Sequence, residues 1–359
     1  MEDALLGGLS PKAFLRRHWQ KRPLLVRRAL PGFHGVIEKR ALFSLAARGD
    51  VESRLVKRRG SRWHVASGPL SGNSLTKAGA RDWTLLVNGV NHHAAAAERL
   101  LRRFAFLPQA RLDDVMVSYA APGGGVGPHF DSYDVFLVQG AGRRIWRLAR
   151  PRPFTLAQGA PLKLIEGFVP EDEYLLEPGD LLYLPPGWGH DGVALDECFT
   201  CSVGFRAPRG AELGAAFLDY LHERGVPDAE YRDPGLKPAR CGAQIDARMV
   251  RFATRLLRKI RWQERDVEDF LGRFLTTPKP EVVFRKSPAK ASLVRLDPKT
   301  QLLYRGSRFY VNGEAFTVAR RQRGPLARLA DHRQASARAL ARAGLGRLIS
   351  DWRKSGYLR

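Results

Sequence analysis

The middle of the chain alternates apolar and polar positions in short segments that are rich in β-branched and aromatic residues. Glycine and proline separate these segments, as at Pro122-Gly123-Gly124-Gly125 and Pro185-Pro186-Gly187. The alternation predicts strands with two different faces, and their close spacing is typical of an antiparallel barrel or a double-sheet jelly roll. The predicted strands are residues 83–87, 115–120, 135–138, 144–148, 181–184 and 199–205.

Helical patterns precede this β-rich part. Ser10-Pro11 is typical of a helix start and predicts a helix over residues 13–20, followed by a strand over residues 24–26. Residues 37–49 and 94–104 also show helical patterning.

Helical patterns return after Pro208, where apolar residues recur on one helix face in each of two stretches. Such apolar stripes need a partner surface, so we expect this region to pack against other helices. The two stripes are Leu213, Phe217, Tyr220 and Leu221, and Met249, Ala253, Leu256 and Ile260.

A third pattern begins near Pro278. Asn312-Gly313 lies between two β-rich stretches and predicts a hairpin with a type I′ turn, and a helix that includes Trp352 closes the chain. These elements resemble a small winged-helix-like domain. We therefore predict an α+β chain with a mainly β core, divided into residues 1–207 (the core), 208–277 (a helical region) and 278–359 (the winged-helix-like domain).

The charge of the chain changes this picture because it is large and uneven. The formal net charge is +24, and 47 of the 60 basic residues are arginine. Residues 111–206 carry a net charge of −5, so the flanks carry +29. Such an excess favours a polyanionic partner, nucleic acid first and an anionic membrane surface second, although a solvated basic surface would have the same composition.

Composition also bears on the compartment. No apolar run reaches the roughly 20 residues that a bilayer span needs, and Met1-Glu2-Asp3-Ala4 lacks the basic and apolar start of an export signal. The three cysteines argue against a disulfide framework and favour a reducing compartment. We therefore expect a cytoplasmic protein without a membrane partner.

Candidate chemistry is concentrated in the predicted core. His129 and Asp131 are two residues apart, so on a strand both side chains would point the same way. His190 follows a predicted strand and the turn that contains Gly187. Two histidines and one carboxylate form the facial triad of non-haem Fe(II) oxygenases, whereas a zinc hydrolase more usually shows a third histidine or an HExxH helix.

Two glycine-rich motifs carry a resemblance to the cupin superfamily. Gly179-x5-Pro185-x-Gly187-x2-His190 is similar to the second cupin motif, and Gly123-x5-His129-x-Asp131 is similar to the first with aspartate in place of its second histidine. The longer segments PGGGVGPHFDSYDVF from Pro122, QGAGRRIW from Gln139 and FLRRHWQKRP from Phe14 resemble the JmjC-type bacterial ribosomal oxygenases.

The resemblance extends over nearly the whole chain and implies a function. It implies a double-stranded β-helix (the cupin or JmjC jelly roll), a helical dimerisation region and a winged-helix-like C-terminal domain. The family members are 2-oxoglutarate-dependent enzymes that hydroxylate an arginine, at its β-carbon, in a large-subunit ribosomal protein. The resemblance therefore implies Fe(II), 2-oxoglutarate and O2, a homodimer, and His129, Asp131 and His190 as the catalytic metal ligands.

The distal carboxylate of 2-oxoglutarate would need a cation, and a planar guanidinium can hold it with two hydrogen bonds. Arg144 shares one strand face with Trp146 and Leu148, and its position within the family also selects it over Arg143, which would face outward. A one-residue error in register would make Arg144 a surface residue. Ser118 is a further candidate for a hydrogen bond to the cosubstrate.

A substrate arginine would need a carboxylate and an apolar sleeve. Asp114, Met116 and Ser118 alternate onto one strand face, and Asp114, Met116 and Tyr133 match positions similar to those that line the family's substrate pocket. Ser202, in the strand that follows the distal histidine, is a further candidate. Asp114 fits a strand-end or turn residue equally well.

Two other motifs predict no chemistry. Cys198-x-x-Cys201 has no second pair of ligands and lies in a predicted strand, so structural zinc or redox chemistry is disfavoured. His92-His93 follows a predicted loop without visible partners, and we interpret both as surface histidines.

Three functions remain open from the sequence. The first is the arginine hydroxylase, for which the acidic core suits a basic ribosomal protein substrate and the basic flanks suit nearby ribosomal RNA. The second is a JmjC oxygenase that acts on histidine or lysine of another protein. The third is a nucleic-acid-binding protein with a degenerate cupin core.

Overall fold

The computed structural model describes residues 5–286 and 292–359. The expectation that the chain lacks an export signal concerned residues 1–4, which lie outside the described residues. Within the described ranges, no helix is long and apolar enough to cross a membrane.

The core segments in which apolar and polar positions alternate form a large antiparallel sheet. Strands are numbered in chain order. From edge to edge, the sheet contains β1 (Leu24–Val26), β10 (Leu181–Leu184), β7 (Val135–Gln139), β12 (Cys198–Phe205), β5 (Leu112–Ala120), β4 (Trp83–Val87), β2 (Ser53–Arg59) and β3 (Arg62–Ser67).

A smaller antiparallel sheet contains β6 (His129–Phe130), β11 (Gly189–Ala194), β8 (Arg144–Ala149) and β9 (Asp172–Leu176). Apolar side chains of β7 and β10 pack against those of β8 and β9 and join the two sheets. These side chains are Val135, Leu137, Leu182, Leu184, Trp146, Leu148 and Leu176. The predicted double-sheet jelly roll is confirmed.

The opposite face of the large sheet is covered by helices. These are α1 (Pro11–Arg17), α2 (Lys39–Ala46), α3 (Gly72–Thr76) and α4 (Ala95–Arg102), and they enclose the largest apolar core with Val115, Val117, Phe136 and Val138. As predicted, Ser10 caps the first helix, because its Oγ accepts a hydrogen bond from the Ala13 amide at 3.2 Å. The strands therefore have one face toward the helices and one toward the small sheet.

Three helices follow the core: α5 (Gly210–Glu223), α6 (Ala247–Leu257) and α7 (Glu264–Thr276). The rings of Phe217 in α5 and Phe270 in α7 lie 5.2 Å apart, so these two helices pack together. Helix α6 carries an apolar stripe but has no buried residue.

The C-terminal part has its own apolar core. The predicted turn is confirmed, since Asn312 and Gly313 have φ of 49° and 90° between two paired strands, which is the type I′ arrangement. The limits of the three regions stay predictions. The elements are β13 (Leu293–Arg295), β14 (Leu302–Arg305), β15 (Arg308–Val311), β16 (Glu314–Thr317), α8 (Arg320–His332), β17 (Gln334–Ser336), α9 (Ala337–Arg342) and α10 (Gly346–Lys354).

The sequence patterns missed several strands. The β2–β3 hairpin extends the large sheet beyond β4, although β3 forms the edge of the sheet and is mostly exposed. In β3, Trp63 and Val65 alternate with Arg62 and His64 but are only half-buried, so the apolar pattern is short and the prediction overlooked it. Strand β11 begins at Gly189, so His190 lies on a strand and not in the preceding turn.

A buried carboxylate links the first helix to the core. Asp134 is fully buried and accepts hydrogen bonds from the Tyr183 hydroxyl at 2.6 Å, the side-chain amide of Gln20 at 3.0 Å and the Arg111 guanidinium at 3.3 Å. We expect Asp134→Asn to lower the free energy of unfolding by about 3 kcal/mol, because it breaks a buried ion pair. Urea denaturation followed by tryptophan fluorescence measures this change. The matched variant Glu173→Gln, at an exposed ion pair, should change stability little, and an equal loss in both variants would contradict the prediction.

Candidate active site

Three predicted ligands meet between the sheets. His129 on β6 and His190 on β11 are direct register partners, and their ring centroids lie 4.2 Å apart. Asp131 lies just beyond the end of β6, and one of its carboxylate oxygens is 3.8 Å from Nε2 of His190. Ligand atoms of all three residues lie within 4.8 Å of one another, which is close enough to hold a single metal ion.

Hydrogen bonds orient both imidazole rings for metal binding. Nδ1 of His129 is 2.9 Å from the Gly127 carbonyl, and Nδ1 of His190 is 2.9 Å from the Trp188 carbonyl. A carbonyl only accepts, so Nδ1 carries the proton in each neutral ring and Nε2 keeps its lone pair. Burial, together with the neighbouring His129, lowers the pKa of His190 and so favours the neutral form that binds metals.

Two glycines fix the loops that carry these ligands. Gly127 has φ of +77°, and a Cβ there would lie 2.7 Å from Leu164. Gly187 has φ of +80°, and its amide donates to the Asp131 carbonyl at 2.7 Å. The short β6 does not reach Asp131, so this hydrogen bond, and not the strand alternation that we predicted, ties Asp131 to the second histidine motif.

Arg144 lies in the same cavity with its charge unbalanced. It is only 4% exposed, and within the described residues neither its Nε nor its Nη2 has a hydrogen-bond partner. Its guanidinium lies 5.6 Å from the ring of Trp146. Its neighbour Arg143 faces outward and pairs with Asp196 at 2.9 Å. A buried guanidinium without a partner is costly, so the position fits an anionic ligand such as the distal carboxylate of 2-oxoglutarate.

The ligands and Arg144 line one cavity of about 190 Å³. All of the predicted pocket residues line it as well: Asp114, Met116, Ser118, Tyr133 and Ser202. On β5, Asp114, Met116 and Ser118 point into the cavity, whereas Val115, Val117 and Tyr119 belong to the core under the helices. The period-2 alternation that we used in the sequence therefore separates the two faces correctly.

The serines and Tyr133 occupy different parts of the cavity. Ser118 and Ser202 are buried, and the hydrogen bond that Oγ of Ser118 donates to the Thr200 carbonyl is long, at 3.5 Å. Tyr133 is 39% exposed, so it stands at the mouth. Burial and the nearby Asp131 raise the pKa of Tyr133, so its hydroxyl stays protonated at neutral pH.

Asp114 is a pocket residue with a structural contact. It is the third residue of β5, so it is not at a strand end or in a turn, and one of its oxygens accepts from the Gly89 amide at 2.7 Å. Burial and the neighbouring Asp113 raise its pKa to about 6. The carboxylate is therefore ionised at neutral pH and keeps acceptor capacity for a cation.

Our interpretation of His92 and His93 as surface residues was wrong. Both are partly buried, and burial lowers the pKa of His92 to about 3 and that of His93 to about 4. They line a small crevice behind Asp114 together with Lys279 and Lys299. No local pattern predicts this burial, because Lys279, Val282 and Lys299 of the crevice are far away in the chain.

Cys198 and Cys201 are buried on β12 without a disulfide. In the part of the chain that the structure describes, neither belongs to a group of possible metal ligands. The cavity also has lining residues that we did not predict, among them Arg54, Asn88 and Lys279. They come from the unpredicted β2–β3 hairpin and from connecting segments, so no local motif marks them.

Comparisons with known proteins agree with this geometry. Residues 99–213 match the JmjC domain family, and residues 259–359 match the ROXA-like winged helix family. The chain is 38% identical to the ribosomal protein uL16 3-hydroxylase of Escherichia coli (strain K12) over 272 residues, which cover 75% of this chain and 72% of that protein. It is 40% identical to a probable ribosomal oxygenase of Haemophilus influenzae over 210 residues, which cover 57% of this chain and 52% of that protein.

Solved structures give the same result over the full length. The X-ray structure of E. coli ycfD superposes with a TM-score of 0.83 at 32% identity and covers 98% of both chains. A structure of E. coli YcfD, a ribosomal oxygenase, in complex with cobalt and 2-oxoglutarate superposes with a TM-score of 0.80 at 32% identity, again over 98% of both chains.

Proposed function

Since this chain belongs to the JmjC-domain ribosomal oxygenases with a ROXA-like winged helix, we propose that it hydroxylates the β-carbon of an arginine in the large-subunit ribosomal protein uL16. The reaction uses Fe(II), 2-oxoglutarate and O2. The observation that carries the proposal is the convergence, in one cavity, of three metal-ligand side chains, an unpartnered buried guanidinium and a buried carboxylate.

Each part of the proposed site has a separate role. His129, Asp131 and His190 hold Fe(II), and Arg144 holds the distal carboxylate of 2-oxoglutarate, with Ser118 as an added hydrogen-bond donor. When bound, iron and 2-oxoglutarate supply the chemistry that inserts one oxygen atom of O2 into a C–H bond. The protein positions the target carbon and excludes water from it.

The opposite wall of the cavity suits a substrate arginine. Asp114 pairs with the guanidinium, while Met116 and Tyr133 flank the methylene groups and Ser202 adds a polar contact. A histidine substrate would have less need of the Asp114 carboxylate, and a degenerate core would have no need of the oriented imidazoles. These features support arginine hydroxylation over the two alternatives.

The test is reconstitution of the purified protein with Fe(II) and 2-oxoglutarate under anaerobic conditions. O2 is then admitted in the presence of purified uL16 from the same organism. We expect uL16 to gain the mass of one oxygen atom, with succinate formed in equal amount, and fragmentation should place the oxygen on an arginine. Oxygen on a histidine or loss of a methyl group from lysine would identify the second function. Salt-dependent RNA binding without turnover would identify the third.

Asp114 gives a prediction with a pH dependence. The carboxylate must be ionised to hold a guanidinium, and its pKa is raised to about 6. The KM for the uL16 substrate should therefore rise as the pH falls below about 6, because the neutral acid loses the ion pair. Asp114→Asn should raise this KM roughly 10-fold or more at neutral pH and remove that pH dependence. Steady-state kinetics between pH 5.5 and 8.5 would measure both effects, and an unchanged KM in Asp114→Asn would contradict the assignment.

We also propose that the protein is a homodimer through its helical region. Leu218 of α5 and Leu257 of α6 are more than 60% exposed although both are apolar, and α6 has no buried residue. Leu218→Arg should raise the dimer dissociation constant at least ~10-fold, measured by sedimentation velocity. Val169 is an equally exposed apolar residue outside the helical region, so Val169→Arg should leave the dimer intact. A monomeric wild-type protein would refute the proposal.

The basic flanks support a contact with ribosomal RNA near the substrate. From Gln301 to the end the chain carries 13 basic residues against 3 acidic ones, which favours phosphate contacts. We place the protein in the cytoplasm, where newly made uL16 is available.

A further inference from the structure

A lysine from outside the core reaches the mouth of the candidate active site. Lys279 follows α7 and lies between Pro278 and Pro280. Its side chain lines the cavity, and its Nζ is 3.2 Å from one carboxylate oxygen of Asp113 and 3.3 Å from the other. Proline fixes its own φ and confines the preceding residue to extended backbone, so this segment is stiff where it presents Lys279.

Contacts from two directions hold the C-terminal end of α7, which lies just before Lys279. On the core side, the guanidinium of Arg206 donates to the Leu275 carbonyl at 2.7 Å and also pairs with Asp113 at 3.4 Å. On the side of the C-terminal domain, the Gly313 amide donates to the Thr276 hydroxyl at 3.0 Å. The end of α7 is therefore held between the core and the β15–β16 turn, and Lys279 follows it by three residues.

The end of the cavity that Lys279 reaches carries two adjacent carboxylates, Asp113 and Asp114. Two such groups in one pocket repel each other, and the more buried one becomes harder to ionise. Asp113 is partly exposed and already has Lys279 and Arg206 as partners. Asp114 is buried, has no ion-pair partner within 4 Å among the described residues, and keeps only the Gly89 amide.

Resting on the arginine pocket proposed above, we propose that Lys279 is a positioning residue of the substrate site. Its ammonium group balances the charge of Asp113, so that Asp114 alone remains as the carboxylate that receives the substrate cation. At this end of the cavity Asp114 is then the carboxylate without an ion-pair partner among the described residues, so it is the one available to a substrate guanidinium.

The charged groups around Asp114 determine how a charge change at Lys279 affects the ionisation of Asp114. Charged or titratable groups share two spaces with Asp114. They include Asp113, Tyr133, Arg54 and Lys279 in the cavity, and Glu52, His92, His93 and Lys299 in the crevice behind it. Lys279 lowers the pKa of Asp114, whereas Asp113 and Glu52 raise it. Removing the ammonium group should therefore make Asp114 harder to ionise. At high pH, where Asp114 is ionised in any case, loss of the ammonium group also removes its repulsion of the substrate cation.

The experiment measures how tightly a uL16 peptide binds to the anaerobic holoenzyme with Fe(II) and 2-oxoglutarate. The peptide contains the target arginine in its unhydroxylated form. Fluorescence anisotropy at a series of pH values gives the peptide affinity of each variant as a function of pH. The two quantities compared are the pH at which the affinity changes (the midpoint) and the affinity reached at high pH (the plateau). We expect Lys279→Met to shift the midpoint upward by about one pH unit, with a plateau affinity equal to or tighter than that of the wild type. Lys279→Arg should keep the midpoint of the wild type, and Asp113→Asn should shift the midpoint to lower pH.

The results separate this proposal from the one on which it rests. A purely structural role of Lys279 would lower the plateau without moving the midpoint, and that outcome would overturn the inference. If Asp114→Asn removes the pH dependence while Lys279→Met leaves the midpoint in place, the arginine pocket stands and only the role of Lys279 fails. If Asp114→Asn binds the peptide like the wild type at every pH, both proposals fail.

Discussion

His129→Ala should lose iron binding and with it the hydroxylation of uL16. The structure brings Nε2 of this residue together with Asp131 and His190 in one cavity, so its removal leaves two ligands for the metal. Changes to groups that only orient metal ligands already cost about 10- to 100-fold, so turnover should fall at least ~100-fold. Succinate formation measures turnover, and the absorption band of the anaerobic Fe(II) complex with 2-oxoglutarate measures metal binding.

A matched control separates this effect from damage to the fold. His332 is exposed on α8, far from the cavity in sequence and absent from its lining, so His332→Ala should keep full turnover. His129→Ala should also keep a thermal midpoint close to that of the metal-free wild type. If His129→Ala binds Fe(II) and turns over normally, the three-ligand site is wrong.

The second large effect concerns the cosubstrate. Arg144→Met should raise the KM for 2-oxoglutarate about 100-fold, because two hydrogen bonds to a charged group contribute about 3 kcal/mol together. Without 2-oxoglutarate, the variant should be at least as stable as the wild type, since methionine replaces a buried guanidinium with unpartnered nitrogens. Kinetics with varied 2-oxoglutarate and thermal melts with and without it would measure both effects.

Arg143→Met is the matched control, since its side chain faces outward and pairs with Asp196. It should leave the KM for 2-oxoglutarate unchanged. 2-Oxoglutarate should raise the melting temperature of the wild type and of Arg143→Met but not that of Arg144→Met, because a ligand stabilises only the state that binds it. Equal effects of the two substitutions would place the cosubstrate elsewhere.

Much of the core could be predicted from the sequence because its signals are local. The period-2 alternation on β5 separates the cavity residues from Val115 and Val117, and the alternation on β8 selects Arg144 over Arg143. These patterns work where one face of a strand is apolar and the other lines a polar cavity. The turn at Asn312-Gly313 was predictable for a similar reason, since a type I′ turn requires positive φ at two successive residues.

The remaining features depend on contacts between distant parts of the chain. Lys279 reaches Asp113 across 166 residues, and no local pattern encodes that approach. The same segment lines a crevice with His92 and His93, and this pair, interpreted from the sequence as exposed, is partly buried. In the edge strand β3 the apolar alternation is limited to Trp63 and Val65, which are only half-buried, so the local signal is short.

The two sheets of the core carry different parts of the site. His129, His190 and Arg144 lie on β6, β11 and β8 of the small sheet, whereas Asp114, Met116, Ser118 and Ser202 lie on β5 and β12 of the large one. Mutations at Asp114, Met116 and Ser202 can therefore change which substrate side chain the cavity binds, while His129, His190 and Arg144 stay in place on the other sheet. A fold divided in this way lets substrate preference diverge during evolution while the oxidation chemistry is inherited unchanged.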